Sequence, residues 1–223
     1  MLVHAVVVVP PSPDVGTPLA GVPVVVRSVQ AMLAVPGIRR VEVLAPRSLV
    51  SEVDALCSGL PVAVHHSVTA LSAVPGITAS RAHAGQRPDG SEGDGSTTLG
   101  SCVLVHDAAR PLVPVATVQS VVDAVCAGYR AVVPVLPLAD TVKEVGPDGL
   151  LRATPDRSGL RVVQAPQGFD GSLLAAVLDA ARPDPVRAWT GAGEKVHTVP
   201  GHPLAFAVAD DWDRALAERA VRG

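Results

Sequence analysis

Short runs of β-branched residues recur along this chain. Each is closed by proline or glycine, and most are followed by a stretch with apolar residues at helical spacing. The first run is Val6-Val7-Val8-Val9, stopped by Pro10-Pro11. Continuous apolar runs of this kind belong to strands buried on both faces. Aromatic residues make up 2% of the chain while 48% is hydrophobic, so the core must be built mainly from Val, Leu and Ala. That composition suits strands sandwiched between helices. A length of 223 residues is ordinary for one α/β domain.

The spacing predicts strands over residues 2–9, 40–44, 62–65, 102–106, 130–136 and 161–165. It predicts helices over 22–35, 49–57, 115–127, 170–181 and 210–221. In the helix over 22–35, Pro23 falls in the first turn, where a proline is tolerated, and Val25, Val29, Met32 and Leu33 share a face. Alternation of strand and helix predicts an α/β fold: a Rossmann-like, mostly parallel sheet with helices on both faces. Residues 137–160 break the rhythm. Two short strand candidates, 141–145 and 150–153, flank the turn signal Gly146-Pro147-Asp148-Gly149, which predicts a β-hairpin arm projecting from the sheet. Residues 84–100, AGQRPDGSEGDGSTTLG, are small, polar and glycine-rich. They cannot bury enough apolar surface to offset the entropy of ordering, so a mobile low-complexity loop is expected within the single domain 1–223.

Charge and apolar runs exclude several classes. The net charge is −3 and no basic block occurs, so nucleic acid is not an expected partner. The run at 6–9 lacks a basic segment before it and reads as a strand rather than a signal peptide. No apolar stretch reaches the roughly 18 residues of a membrane span, and a cytoplasmic protein is expected. Cys57, Cys102 and Cys126 form neither a CxxC nor a paired framework, and read as three buried thiols. His65-His66 lack a partner cluster for a metal. Glu194-Lys195 and Asp210-Asp211 read as solvated surface.

In an open parallel sheet, ligands bind beyond the carboxyl ends of the strands. Residues 10–21, 106–111 and the pair Asp140-Thr141 fall there. Asp107 and Arg110 place an acid and a base together at a strand end. They suit a phosphate or a cation, or they are a local ion pair closing a turn. Arg157, in a glycine-bearing loop, can reach a phosphate bidentately or can be an exposed loop side chain.

Four stretches together resemble one family. They are VLVHDAARPLV at 103–113, VVPVLPLADTVKEV at 132–145, ATPDRSGLRVVQAPQGF at 153–169 and VPGHPLAFAVADDWDRALAERAV at 199–221. In order and combination they resemble the 2-C-methyl-D-erythritol 4-phosphate cytidylyltransferases, and residues 1–73 follow more loosely. The resemblance implies a nucleotide-diphospho-sugar transferase type of fold and a homodimer with exchanged hairpin arms. It implies a reaction in which CTP, carrying Mg2+, meets methylerythritol phosphate in non-mevalonate isoprenoid synthesis. It implies that Asp107, Arg110, Thr141 and Arg157 contact substrate, with Arg157 reaching the partner's site. Pro10, Pro11, Gly16, Asp107 and Ala108 would be the remnant of the nucleotide site. No residue is assigned a catalytic role.

On the donor side the chain departs from the family. The family has Pro-Ala-Ala-Gly, a further Gly and an Arg, then Pro-Lys; this chain has Pro10-Pro11-Ser12-Pro13-Asp14-Val15-Gly16-Thr17 and, later, Val22-Pro23-Val24. No Arg or Lys precedes Arg27. The family's Gly-Gly base-recognition segment is replaced by the loop at 84–100. Its Thr-Asp stretch is missing between Pro185 and Lys195, where Thr190-Gly191 stands. Ala205-Phe206-Ala207 stands where the family has a phosphate-binding Lys. These losses predict impaired catalysis, with Arg81 or Arg87 as the conceivable compensating cations. The alternatives are an active enzyme with an unusual donor loop, and a non-catalytic protein that binds a phosphorylated metabolite or a protein partner.

Overall fold

The computed structural model describes residues 2–11, 13–67, 101–171, 185–191 and 193–223. Strand β1 (Leu2–Val8) is followed by a two-stranded antiparallel ribbon, β2 (Pro18–Leu19) and β3 (Val22–Pro23), and then by α1 (Val24–Leu33). Next come β4 (Val41–Leu44), α2 (Val50–Leu56), β5 (Val62–His65), β6 (Ser101–Asp107) and α3 (Val115–Cys126). The chain continues through β7 (Ala131–Pro137), β8 (Arg161–Val163), β9 (Gln167–Asp170), α4 (Pro185–Gly191), β10 (His197–Pro200) and α5 (Asp211–Arg222).

Among the described residues the main sheet runs β10-β7-β9-β6-β1-β4-β5, with β8 on β7. β1 pairs in parallel with both β4 and β6, β4 with β5, and β7 with β10. β9 is antiparallel to β6 and β7, and β8 is antiparallel to β7. The sheet is therefore mixed: β6, β1, β4 and β5 run parallel, and the antiparallel β9 joins them to the parallel pair β7 and β10.

Alternate residues of β1 feed opposite layers, as the two-residue period of a strand requires. Ala5 and Val7 face Val25, Val29 and Met32 of α1, Val53 of α2 and Val118, Val121 and Val125 of α3. Val6 faces the other layer with Val103, Val105, Val133, Phe169 and, from α4, Val186. Helices thus cover both faces. Valine dominates both layers, and Phe169 is the largest fully buried side chain.

The predicted elements shift in identifiable ways. The helix expected over 22–35 begins at Val24, because Val22 and Pro23 pair with Pro18 and Leu19. The turn between them uses positive φ at Ala20 (48°) and Gly21 (80°). The helix expected over 170–181 does not begin at Asp170, which ends strand β9; residues 172–181 lie outside the described residues. The sequence hid this strand because Gly168 sits in its middle, and glycine ordinarily weakens strands. Here Gly168 permits close approach: a Cβ there would lie 2.4 Å from Val121 Cγ1 and 3.1 Å from Val125 Cγ2. Cys57 and Cys102 are buried as expected, but Cys126 is exposed on the last turn of α3. Burial pushes the Cys102 thiol up to about 12, so it is inert. Asp210 does more than face solvent: its carboxylate caps α5 by accepting from Asp213 N–H at 2.8 Å.

The hairpin at the centre of 137–160 is narrow. Val145 and Leu151 form an antiparallel bridge, and Gly146 N–H donates to Leu150 carbonyl at 2.9 Å. Arg152 N–H donates to Glu144 carbonyl at 2.7 Å. The segment 84–100 lies outside the described residues.

Substituting Gly168→Ala forces a methyl into Val121, whose β-branched side chain has little rotamer freedom in a helix. Such overpacking is expected to cost about 1–3 kcal/mol, read as a lower urea midpoint at unchanged slope.

Candidate functional site at the carboxyl ends of the strands

β1 and β6 end side by side, with Val8 opposite Asp107. The chain leaving β1 carries Pro10 and Pro11; the chain leaving β6 makes the turn Asp107-Ala108-Ala109-Arg110. β7 is parallel to β6 by way of two antiparallel pairings through β9. The arm with Thr141 therefore leaves from the same edge of the sheet, and so does Gly201-His202 after β10.

The turn after β6 is held from several directions. Ala108 N–H donates to Val8 carbonyl at 2.9 Å, and Arg110 N–H to Asp107 carbonyl at 3.0 Å. Asp107 Oδ1 accepts from Ala109 N–H at 2.9 Å. The carbonyls of the turn are equally occupied. Ser28 Oγ, buried in α1, donates to Ala108 carbonyl at 2.7 Å. Val208 N–H donates to Ala109 carbonyl at 2.7 Å. His106 Nε2 lies 3.1 Å from Arg110 carbonyl, which can only accept, so that nitrogen carries the proton. Burial pushes His106 down to about 3, so the ring is neutral.

Arg110 extends from this turn toward the segment after β10. Its Nη1 donates to Ala205 carbonyl at 2.7 Å, and its Nε lies 3.7 Å from Asp107 Oδ2. Burial lowers the Arg110 pKa, and the Asp107 carboxylate opposes that shift. The local ion pair anticipated as one reading of Asp107 and Arg110 is therefore present, but it is long. The carbonyl of Ala205 gives Arg110 its closest hold.

The other predicted site residues divide. Pro10 and Ala108 lie on the same edge as Asp107 and Arg110. Pro11 is exposed beside them. Gly16 sits in a 3₁₀ turn against α2, where a Cβ would come within 2.5 Å of Glu52 Oε1. Thr141 is exposed at the base of the arm. Arg157 turns back on the same base: its Nη1 donates to the carbonyls of Ala139 and Asp140, both at 3.1 Å.

The segment between β1 and α1 joins buried apolar residues to a few charged ones. Val24 is buried at the start of α1. Arg27, the first cation after β1, donates from Nε to Leu19 carbonyl at 2.8 Å and from Nη2 toward Ala20 carbonyl at 3.4 Å. It braces the ribbon. Arg214 of α5 lies 3.7 Å from Asp14. Ala207 is half-buried and uncharged. Arg81 and Arg87 lie outside the described residues.

Sequence reasoning missed Ser28, His106 as a side chain in its own right, and Gln164. Ser28 left a signal, a hydroxyl inside the apolar stripe Val25-Val29-Met32. Gln164 left none, because its partner is backbone 38 positions away. His65 also found a partner unforeseen: its Nε2 lies 2.6 Å from the buried Glu42, which Arg40 also contacts at 3.0 Å. Among the described residues no group of three His, Cys, Asp or Glu side chains is arranged to hold a metal.

Ser28→Ala leaves Ala108 carbonyl buried without its donor and is expected to cost about 1–3 kcal/mol, measurable by denaturant unfolding. His106 also gives a pH signature. Its folded pKa is about 3 against an ordinary 6.5, so the unfolded chain binds the proton first as pH falls. The wild-type chain should lose stability progressively from about pH 6.5 toward pH 3, and His106→Gln should flatten that part of the profile.

The family model for 2-C-methyl-D-erythritol 4-phosphate cytidylyltransferase matches residues 13–223. A protein of that name from Nocardia farcinica is 39% identical over 93% of this chain and 85% of its own length. One from Streptomyces coelicolor is 39% identical over 95% of this chain and 79% of its own. The crystal structure of the Thermus thermophilus cytidylyltransferase matches with a TM-score of 0.70 at 26% identity, covering both chains fully (100% each). Another solved structure, of a 4-diphosphocytidyl-2C-methyl-D-erythritol synthase, shares the fold with a TM-score of 0.75 at 19% identity, covering 99% of each chain. With this sheet, this strand-end turn and these matches over almost its entire length, the chain belongs to the 2-C-methyl-D-erythritol 4-phosphate cytidylyltransferase family.

Proposed function

We propose that this protein keeps the acceptor half of the family's pocket and has lost much of the grip on the nucleotide triphosphate, so that cytidylyl transfer is impaired. The reaction in question forms a bond from a phosphate oxygen of methylerythritol phosphate to the α-phosphorus of CTP. The bond to pyrophosphate breaks, and pyrophosphate leaves. Such a transfer asks little covalent chemistry of the protein. Rate comes from orientation and from fixed positive groups around the phosphates.

The observation that carries this reading is the commitment of Arg27. The first cation after β1 is tied to Leu19 and Ala20 carbonyls. Pro10 and Pro11 offer no N–H for a phosphate cradle. Val24 and Ala207 carry no charge where the family has Lys. Loss of one preorganised stabilising group typically costs on the order of 10²–10³ in rate. Arg110, by contrast, is retained at the strand ends and half-buried, with several guanidinium N–H groups still available to a phosphate.

Among the described residues no group of three His, Cys, Asp or Glu side chains is placed to hold a resident Mg2+, and one Asp107 oxygen already accepts from Ala109. Mg2+ would arrive as part of the nucleotide substrate. Asp107, Arg110 and Thr141 would meet the acceptor. Pro10, Pro11, Gly16, Asp107 and Ala108 would mark where the nucleotide once lay.

In a homodimer, residues 137–160 would serve as the exchanging arm of the single domain 1–223. The exposed Val145, Leu150 and Leu151 support that role, because an apolar arm tip needs cover. Arg157 would then exchange its own carbonyl partners for the neighbouring subunit's ligand. Among the described residues no helix is long and apolar enough to cross a membrane. With water-soluble phosphates as ligands, a cytoplasmic protein is the simplest reading. One observation favours the alternative of an active enzyme with a different donor grip: relatives of that name match at 39% identity over most of the chain.

Calorimetric titration separates these readings. Methylerythritol 4-phosphate is expected to bind without nucleotide, while CTP with Mg2+ binds weakly; micromolar CTP affinity would defeat the impaired-donor reading. Arg157→Ala should weaken binding of the polyol phosphate without lowering the melting temperature. An unchanged affinity would remove Arg157 from the site.

A further inference from the structure

We propose that two buried side chains placed behind the ligand-facing edge, His106 and Gln164, aim the Arg110 guanidinium and are positioning residues for this site. The inference deepens the proposed function and rests on Arg110 facing a phosphate there.

The two ends of Arg110 are held separately. At the backbone end, His106 Nε2–H reaches Arg110 carbonyl at 3.1 Å. The imidazole is fully buried, and its Nδ1 has no partner among the described residues. An unpartnered buried nitrogen is unfavourable, so an apolar side chain of similar size would pack there more readily. The hydrogen bond to Arg110 is the gain that sets histidine apart. Because the ring stays neutral down to about pH 3, it does not act as a proton carrier near neutrality. Its remaining contribution is geometric.

At the guanidinium end, the hold runs through Gln164. This side chain is 3% exposed and behaves like a strand partner to a single residue. Its Nε2 donates to His202 carbonyl at 2.9 Å, and its Oε1 accepts from His202 N–H at 2.9 Å. Gly201 makes the approach possible: a Cβ there would fall 2.3 Å from Gln164 Oε1 and 3.0 Å from Val135 carbonyl oxygen. From His202 a 3₁₀ turn, Pro203–Ala205, delivers Ala205 carbonyl to Arg110 Nη1 at 2.7 Å. The turn is closed by Ala205 N–H on His202 carbonyl at 2.9 Å, and His202 Nδ1 accepts from Leu204 N–H at 3.1 Å. The Asp107 carboxylate, at 3.7 Å from Arg110 Nε, is too far to set the direction of the fork. Direction comes from the carbonyl that Gln164 holds in place.

The test uses the full-length chain with 15N-labelled arginine. Arg110→Met assigns the Arg110 Nε–H signal by its disappearance. Wild type and His106→Gln, which keeps an N–H donor at similar reach, should show an ordered Arg110 side chain. His106→Leu and Gln164→Met should show a mobile one. Affinity for methylerythritol 4-phosphate should fall by about tenfold in the latter two and recover in His106→Gln. In an Arg110→Met background the Leu and Met substitutions should cost nothing further, because each acts through Arg110. Loss of packing alone would instead persist in that background. An Arg110 signal equally ordered in all folded variants, or additive losses with Arg110→Met, would overturn the proposal. If His106→Leu does not fold, Gln164→Met decides alone by the same readouts. Should wild type fail to bind the polyol phosphate while Arg110 still loosens in the variants, the functional reading falls and the positioning stands.

Discussion

The parallel pairing of β1 with β6 runs without interruption from Leu2 opposite Ser101 to Val8 opposite Asp107. It joins two stretches of chain nearly a hundred residues apart, and every other feature of the site is referred to it. Their shared carboxyl end sets Pro10 beside Asp107. The side chains alternate across the pair, so one valine layer meets α1, α2 and α3 while the other meets α4. Because side chains alternate between two buried layers, a slip of one residue would exchange the layers and carry Asp107 inward from the strand end. The register is therefore tightly specified, and with it the placement of the Asp107–Arg110 turn.

From that pairing the electrostatics follow. The turn has its carbonyls taken by Ser28, Val208 and His106, elements drawn from α1, from the segment before α5 and from β6 itself. A turn satisfied in this way presents Arg110 outward on a rigid base. Near the same edge lie Val24, Arg27 and the β2–β3 ribbon, where Arg27 closes on backbone carbonyls and Arg214 of α5 reaches Asp14. Among the described residues Arg110 thus stands at the strand ends with guanidinium N–H groups to spare, while Arg27 is held by the ribbon carbonyls. On the proposed reading, this difference is what would separate recognition of an acceptor phosphate from recognition of a triphosphate.

Much of the fold was legible. Strands at 2–9, 40–44, 62–65, 102–106 and 130–136, and helices at 115–127 and 210–221, were readable from apolar runs, spacing and breakers to within a residue or two. Asp107 and Arg110 were legible as an acid and a base at a strand end. The arm was visible in Gly146-Pro147-Asp148-Gly149. What escaped were features made by distant neighbours. β9 contains glycine because α3 presses on it, and Asp170 reads as a helix start only when β6 and β7 are absent from view. Cys126 is exposed because the last turn of α3 leaves it on the solvent side, a matter of helix phase against the sheet.

By itself the sequence determined the period and apolarity of the elements, the family they compose and the absence of Arg and Lys before Arg27, because these are read along the chain. Only the tertiary structure decided where polar groups find partners. Arg27 is committed to the ribbon, Arg157 to Ala139 and Asp140, and Gln164 to His202, because a buried or half-buried donor bonds whichever acceptor folding brings within about 3 Å. Such partners are chosen by packing across the sheet, and local sequence carries no record of them.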